Sequence, residues 1–337
     1  MSEDDVSPDE ILKLGTAFWA SKVLLSAVEL GLFTALAAGP LSRQDLEVRL
    51  GLHPRGARDF LDALVALGML DRREGRYANT PATGQFLDRG KPSYVGGLLE
   101  MANTRLYPFW GRLTTALQSG LPQNEAADGS DPFAAIYSKP ELLRQFLGAM
   151  TGVSRPTARL IAAAFPWSEV TSFVDVGCAQ GGCTAELALA HPHLKAIGFD
   201  LPAVGPVFEE FVGALGLGGR VRFAAGDFFT DPLPASDVIV MGHILHDWDL
   251  AQKQALVRKA HAALAPGGRL LVYDAIIDDE RRENVFGLLM SLNMLIETPG
   301  GFDYTGAEAM NWMREAGFRA ARVEALPDAH SMVIATK

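Results

Sequence analysis

The chain has 337 residues, 48% of them apolar, and a formal charge of −10. That length exceeds one ordinary core and predicts about two domains, and the acidic balance argues against a general nucleic-acid binder, whose phosphate contacts need a basic face. The first residues, MSEDDVSPDE, are the opposite of a signal or transit peptide, no uninterrupted run of about 18 apolar residues appears, and the two cysteines, Cys178 and Cys183, support neither a disulfide scaffold nor a zinc site, so a cytoplasmic protein without membrane span or metal is expected.

Residues 11–38 carry apolar residues at helical spacing, broken near Gly31. A helix apolar around so much of its circumference needs a partner, and a second subunit is the expected one. LSRQDLEVRLGL, HPRGARDFLDALVALGML and DRREGRYANT follow, which read as two helices and a charged hairpin in the order of a winged helix. Such a module binds DNA through the helix carrying Arg55 and Arg58, or serves packing and dimerisation, and the negative charge favours the second. Residues 1–100 are therefore expected to form a winged-helix-like dimerisation domain. The helical, aromatic-rich stretch 101–168 reads as a substrate cap within a second domain, 101–337, and Gly120–Asp131 reads as a loop inside it.

After residue 170 short apolar strands (SFVDVG, LKAIGFD, RVRFAAGD, DVIVMGH, RLLVYD) alternate with helical stretches. This βαβ alternation predicts an α/β fold with a Rossmann-like, mostly parallel sheet. FRAARVEAL and HSMVIATK read as a hairpin adding an antiparallel edge. Each of the five strands ends in a polar or ionisable residue: Asp175, Asp200, Asp227, the pair His243 and His246, and Asp274. The carboxyl ends of such strands line the ligand crevice, so the five together mark a site.

The first turn, VDVGCAQGGCTAELA, offers Gly177, Gly181 and Gly182 for close backbone approach by a ligand. Read through Gly177, Ala179 and Gly182 it approximates a dinucleotide fingerprint. Read through Asp175, Gly177 and Gly181 it suits a nucleoside with an amino-acid tail. The acids favour the second reading. Asp175 would repel a pyrophosphate but suits an ammonium, Asp200 suits ribose hydroxyls, and Asp227 with Phe228 suits an adenine. Together they describe a site for S-adenosylmethionine. His246 is placed to act as a general base for a hydroxyl, with Asp274 on its other nitrogen. Asp247 is expected to cap the next helix, and His243 to line the acceptor pocket. His243 and His246 stand three apart, but a third metal ligand is missing at any recognisable spacing.

VDVGCAQGG, FDLP, GDFF, HILHDW and LAPGGRLLVYD, in this order, resemble the class I S-adenosylmethionine-dependent small-molecule O-methyltransferases. The closest type is that of the plant caffeic acid and bacterial natural-product enzymes, with an N-terminal winged-helix dimerisation domain. The resemblance implies homodimers, S-adenosylmethionine as cofactor and a small aromatic hydroxyl as acceptor. It makes His246 the catalytic histidine, supported by Asp274 and Asp303 where the family has glutamates. Leu201 and Trp248 would join the cofactor wall, and Ser154 would approach the cofactor carboxylate. Phe146, Met150 and Met294 would face the acceptor. Asn293 orients a substrate oxygen or faces solvent, and Tyr107, Phe109 and Trp110 line the pocket mouth or belong to the core. Two departures stand out: Ala179 replaces the loop's middle glycine, and Gly242 replaces a lysine four residues before the histidine. Relatives that keep the fold for hydroxylation, decarboxylation or pericyclic chemistry, N- or C-methylation, nicotinamide-dependent oxidoreduction and transcriptional sensing are the competing readings.

Overall fold

The computed structural model describes residues 7–91, 93–125 and 136–337. The acidic residues at the start and part of the Gly120–Asp131 loop lie outside the described residues. The chain divides into two compact units, Met1–Tyr107 and Pro108–Lys337.

The first unit begins with helices Asp9–Thr16 and Phe18–Glu29 and a short helix Leu32–Ala35 entered through Gly31 at φ +70°. Strand β1 (Leu41–Ser42) leads into helix Arg43–Leu50, which opens on a capping box between Ser42 and Asp45 and closes on Gly51 at φ +66°. Pro54 starts the next helix, Pro54–Ala66. Strands β2 (Leu70–Arg73) and β3 (Arg76–Asn79) then pair antiparallel across Glu74 and Gly75, both at positive φ as a two-residue hairpin turn requires. The sheet order is β1-β3-β2. Leu32, Phe33, Leu46, Leu61, Leu64 and Leu70 fill the core beneath it.

One expectation about this unit needs correcting. The stretch Asp9–Glu29 is long and apolar enough, by length and composition, to cross a membrane. Lys13, Lys22 and two serines interrupt its apolar residues, so no uninterrupted apolar run marks it, although it is apolar on average. Ile11, Leu14 and Trp19 on this stretch are 75%, 78% and 63% exposed.

The second unit is built on a seven-stranded sheet of order β6-β5-β4-β7-β8-β10-β9. Its strands are β4 (Ser172–Val176), β5 (Lys195–Asp200), β6 (Val221–Ala225), β7 (Ser236–Gly242), β8 (Leu264–Asp274), β9 (Ala320–Ala325) and β10 (Ser331–Thr336). The first five in spatial order run parallel, and β10 pairs antiparallel with both β8 and β9. Alternate residues feed two cores: Phe173, Val238, Val240 and Leu271 face one layer, and Val174, Val176, Ile239 and Val272 the other. Helix Pro140–Ala164 packs on helix Gly182–Ala190, where Arg155 and Arg159 converge on Glu186. The strand order reverses between the parallel neighbours β4 and β7, which puts the ligand crevice at their carboxyl ends. Two strand-end assignments shift: Asp175 is the penultimate residue of β4, and Asp227 stands two residues beyond β6.

Candidate active site

The turn after β4 is held in left-handed backbone at Gly177 (φ +70°), Ala179 (φ +50°) and Gly181 (φ +91°). A Cβ on Gly177 would lie 2.2 Å from the Ile244 side chain, and one on Gly182 2.8 Å from the Ser154 hydroxyl. Ala179 therefore adopts a conformation that favours glycine, at a cost of about 1–2 kcal/mol. Its N–H donates to Asp200 (2.9 Å), whose other oxygen accepts from the Leu201 N–H at 2.7 Å. Burial raises the Asp200 pKa to about 6 despite those two donors. Its remaining lone pairs suit hydroxyl groups of a ligand. Asp175 is buried and accepts from the Thr184 hydroxyl at 2.6 Å. Burial raises its pKa to about 7, against the Thr184 hydrogen bonds. Asp227 is half-buried and its carboxylate accepts from the Phe229 N–H. Phe228, Phe229 and Trp248 form an aromatic wall beside it, with centroids 4.6–5.7 Å apart. Acids, a glycine turn and an aromatic wall suit a cationic nucleoside better than a pyrophosphate.

β7 ends at Gly242, and the chain turns through His243 at φ +54° into the short helical turn Leu245–Asp247. The helix that follows, Leu250–Ala263, is capped by Asp249, whose carboxylate accepts from the Gln252 N–H. The expected cap, Asp247, sits two residues too early and is part of the turn. Burial raises its pKa to about 7. A Cβ on Gly242 would lie 1.9 Å from the Tyr273 ring. The departure from lysine here is thus a packing requirement, because Tyr273 fills the space.

His246 is 5% exposed. Its Nδ1 hydrogen-bonds Asp303 at 3.2 Å and lies 4.0 Å from Asp274. Its Nε2 faces Asp247 at 3.7 Å, outside hydrogen-bond distance. The direct partner is therefore Asp303, where the sequence put Asp274 first. Asp274 ends β8 fully buried, accepts from the Tyr304 hydroxyl at 2.5 Å, and has its pKa raised to about 6 by burial. Burial opposes protonation of His246, but Asp274, Asp247 and Asp303 outweigh it and raise the imidazole pKa to about 10. His243 goes the other way. Burial and the neighbouring His246 and His330 push its pKa well below the usual value, which keeps it neutral.

Three buried polar atoms in this cluster have no hydrogen-bond partner among the described residues: His243 Nε2, Asp274 Oδ1 and Asp303 Oδ2. His243, His246 and Asp274 also present donor atoms within 4.8 Å of one another. Tetrahedral metal bonds of about 2.0–2.1 Å would need donors about 3.3 Å apart, closer than the 3.8 and 4.0 Å between the histidines and Asp274.

The acceptor candidates fall into two groups. Phe146, Met150 and Ser154 stand at four-residue steps on helix Pro140–Ala164, all half-buried. Asn293 and Met294 are buried on helix Val285–Glu297. Asn293 does not face solvent: its oxygen accepts from the Trp110 indole at 2.8 Å, and its amide donates to Glu297. Helix Leu113–Ser119 lies against the same helix. Tyr107 ends the first unit, with the Lys22 ammonium 5.3 Å from its ring centre. Sequence reasoning missed Tyr304 and Lys253, which read as ordinary neighbours in GFDYTG and on a helix. It also missed His330, whose ring is 5.0 Å from that of His243 and which pairs with Asp328.

Residues 110–319 match the O-methyltransferase domain family, and residues 12–89 match the O-methyltransferase dimerisation domain. The chain is 50% identical to the tetracenomycin polyketide synthesis 8-O-methyl transferase TcmO of Streptomyces glaucescens, covering 98% of this chain and 97% of that one. It is 42% identical to the N,N-dimethyltransferase OxyT of Streptomyces rimosus, covering 93% and 91%. Among solved structures, human N-acetylserotonin methyltransferase in complex with S-adenosylmethionine superposes with a TM-score of 0.91 at 28% identity, over 100% of this chain and 99% of that one. The chain therefore belongs to the S-adenosylmethionine-dependent O-methyltransferases and carries that family's dimerisation domain.

Proposed function

We propose that this enzyme methylates a hydroxyl of a small aromatic, polyketide-type acceptor, with His246 as the general base. The observation that carries the reading is the hydrogen bond from His246 Nδ1 to buried Asp303, which fixes the tautomer and leaves Nε2 to take the acceptor's proton. The name of TcmO supports the aromatic polyketide class.

When bound, S-adenosylmethionine supplies a methyl group on a positively charged sulfur. Asp200 and the main chain at Ala179 and Leu201 would hold the ribose end, Phe228 and Trp248 would wall the adenine end with Asp227, and Asp175, Gly177, Gly181 and Ser154 would receive the amino-acid end. Phe146, Met150 and Met294 would press on the acceptor ring, since thioethers make favourable contacts with aromatic faces, and His243, Asn293 and Trp110 would bound the pocket. A phenol has a pKa of about 10, so an imidazole raised to about 10 by its carboxylates matches it, and the unprotonated base that accepts the proton is a minor form at neutral pH whose share grows as pH rises. A second reading, N-methylation, is favoured by the likeness to OxyT. A neutral amine needs no base, so the His246→Asn variant separates the two. Loss of turnover on phenolic polyketides, with a mass gain of one methyl in the wild-type product, supports the hydroxyl reading. Unchanged turnover in the variant refutes it.

We also propose that a second copy of the chain covers the exposed apolar face of Asp9–Glu29, giving a cytoplasmic homodimer that needs neither membrane nor nucleic acid. The match to the dimerisation domain begins at residue 12 and covers the rest of this stretch. A dimer in sedimentation that dissociates in the Trp19→Glu variant supports it.

A further inference from the structure

Helix Leu250–Ala263 buries an unexpected residue. Lys253 is fully buried, on a helix whose other buried residues are Leu256, Val257 and Ala260. Packing alone would be served by methionine or leucine, and an ammonium taken from water is costly unless compensated. Two contacts compensate it. Its Nζ donates to the Trp248 carbonyl, and it sits 3.5 Å from the centre of the Phe302 ring, with Tyr304 at 5.8 Å. Phe302 and Tyr304 flank Asp303, the residue that hydrogen-bonds His246, and Tyr304 donates to Asp274.

We propose that Lys253 is a positioning residue for methyl transfer: its ammonium clamps the aromatic residues on either side of Asp303 and so holds that carboxylate on His246. A cation over an aromatic face is attracted by the ring quadrupole, most strongly when desolvated. The same charge offsets the three carboxylates, Asp247, Asp274 and Asp303, gathered around one imidazole. Burial lowers the Lys253 pKa to about 8, against the pull of those acids, so the ammonium persists at neutral pH. The proposal rests on the reading of His246 as base.

The test compares Lys253→Met, which fills the same volume, with the wild type in full-length protein. A misplacement of the carboxylate predicts a kcat lower by about 10–100-fold, with acceptor KM and the Kd for S-adenosylhomocysteine unchanged. In an Asp303→Asn background the same substitution should cost less than about twofold, since the residue it positions is gone. Phe302→Leu, which keeps the lysine but removes the ring, should lower kcat without changing KM, which keeps the idea testable if the methionine variant fails to fold. Unchanged kcat in folded Lys253→Met, or a loss confined to cofactor affinity, overturns the proposal. An equal loss with and without Asp303 overturns it as well. His246→Asn run in parallel separates the two ideas: if it is inactive while Lys253→Met matches wild type, only the clamp falls. If His246→Asn is fully active, the base reading itself falls.

Discussion

Gly301 offers a sharp test of how the acid reaches the base. A Cβ placed on it would lie 2.5 Å from the His246 carbonyl oxygen, 2.8 Å from the Asp247 carbonyl carbon and 2.3 Å from the Thr298 hydroxyl. The threonine can rotate away, but the two main-chain atoms cannot. Restoring an ordinary C···O contact of about 3.3 Å requires the loop to retreat by roughly 0.8 Å. The His246–Asp303 distance would then open from 3.2 Å toward about 4 Å, where no hydrogen bond remains. A charge-assisted hydrogen bond is worth about 1.5–3 kcal/mol, so Gly301→Ala should lower kcat by about 10–150-fold. The assay is transfer of labelled methyl to an aromatic hydroxyl acceptor of the wild type, with thermal melting and S-adenosylhomocysteine binding as controls. Adding Asp303→Glu to Gly301→Ala lengthens the side chain by one methylene and should recover much of the loss. A folded Gly301→Ala enzyme with kcat within about twofold of wild type would refute the reasoning, since the penalty of the lost contact would be absent.

Three further outcomes follow from the same geometry. Asp303 is one of the carboxylates that raise the His246 pKa, so Asp303→Asn should move the acid limb of the kcat/KM profile to lower pH while lowering its plateau by about 10–100-fold. A limb that stays put would detach Asp303 from the base. Ligand hydroxyls donating to Asp200 favour its ionised form, so the bound pKa falls below the free value of about 6. Affinity for S-adenosylhomocysteine should be full above that pH, weaken as pH falls through it, and lose this dependence in Asp200→Asn, measured by titration calorimetry. Gly242→Lys, which restores the family's residue, should destabilise by at least about 1–3 kcal/mol because its Cβ would lie 1.9 Å from the Tyr273 ring. Pairing it with Tyr273→Leu should recover part of the loss in a denaturant titration.

The strand-end carboxylates were legible because two regularities converge on them: the period of apolar residues locates strands, and the α/β connection rule puts ligands at their carboxyl ends. What the pattern cannot carry is the path of a loop. Asp274 looked like the partner of His246 because their strands are neighbours. Instead Asp303 reaches the imidazole from a loop between two helices, where a Cβ on Gly301 would meet the His246 main chain. The sequence leaves Asn293 open between a substrate contact and solvent, because its partner, Trp110, lies 183 positions away. Lys253 carries no signal in the sequence, since nothing local marks a lysine as buried. Asp249 rather than Asp247 caps the helix for a simpler reason: the turn Leu245–Asp247 takes the histidine and the first aspartate before the helix begins.

The use of aspartate where the family has glutamate then acquires a physical sense. A shorter acid has one fewer rotatable bond to freeze, so once the main chain comes close enough its oxygen is better pre-organised than that of a longer one. Gly301 permits that approach, and on the proposed reading Lys253 holds it. The arrangement also carries a cost, since His243 Nε2, Asp274 Oδ1 and Asp303 Oδ2 are buried without partners among the described residues. A buried polar group left unpaired costs about 1–3 kcal/mol, and all three atoms belong to one cluster. An apolar acceptor could not relieve that cost, whereas an aromatic ring carrying a hydroxyl could. On the proposed reading, these unpaired atoms favour an acceptor that brings a hydrogen-bonding group, a hydroxyl or an amine, over a purely apolar one.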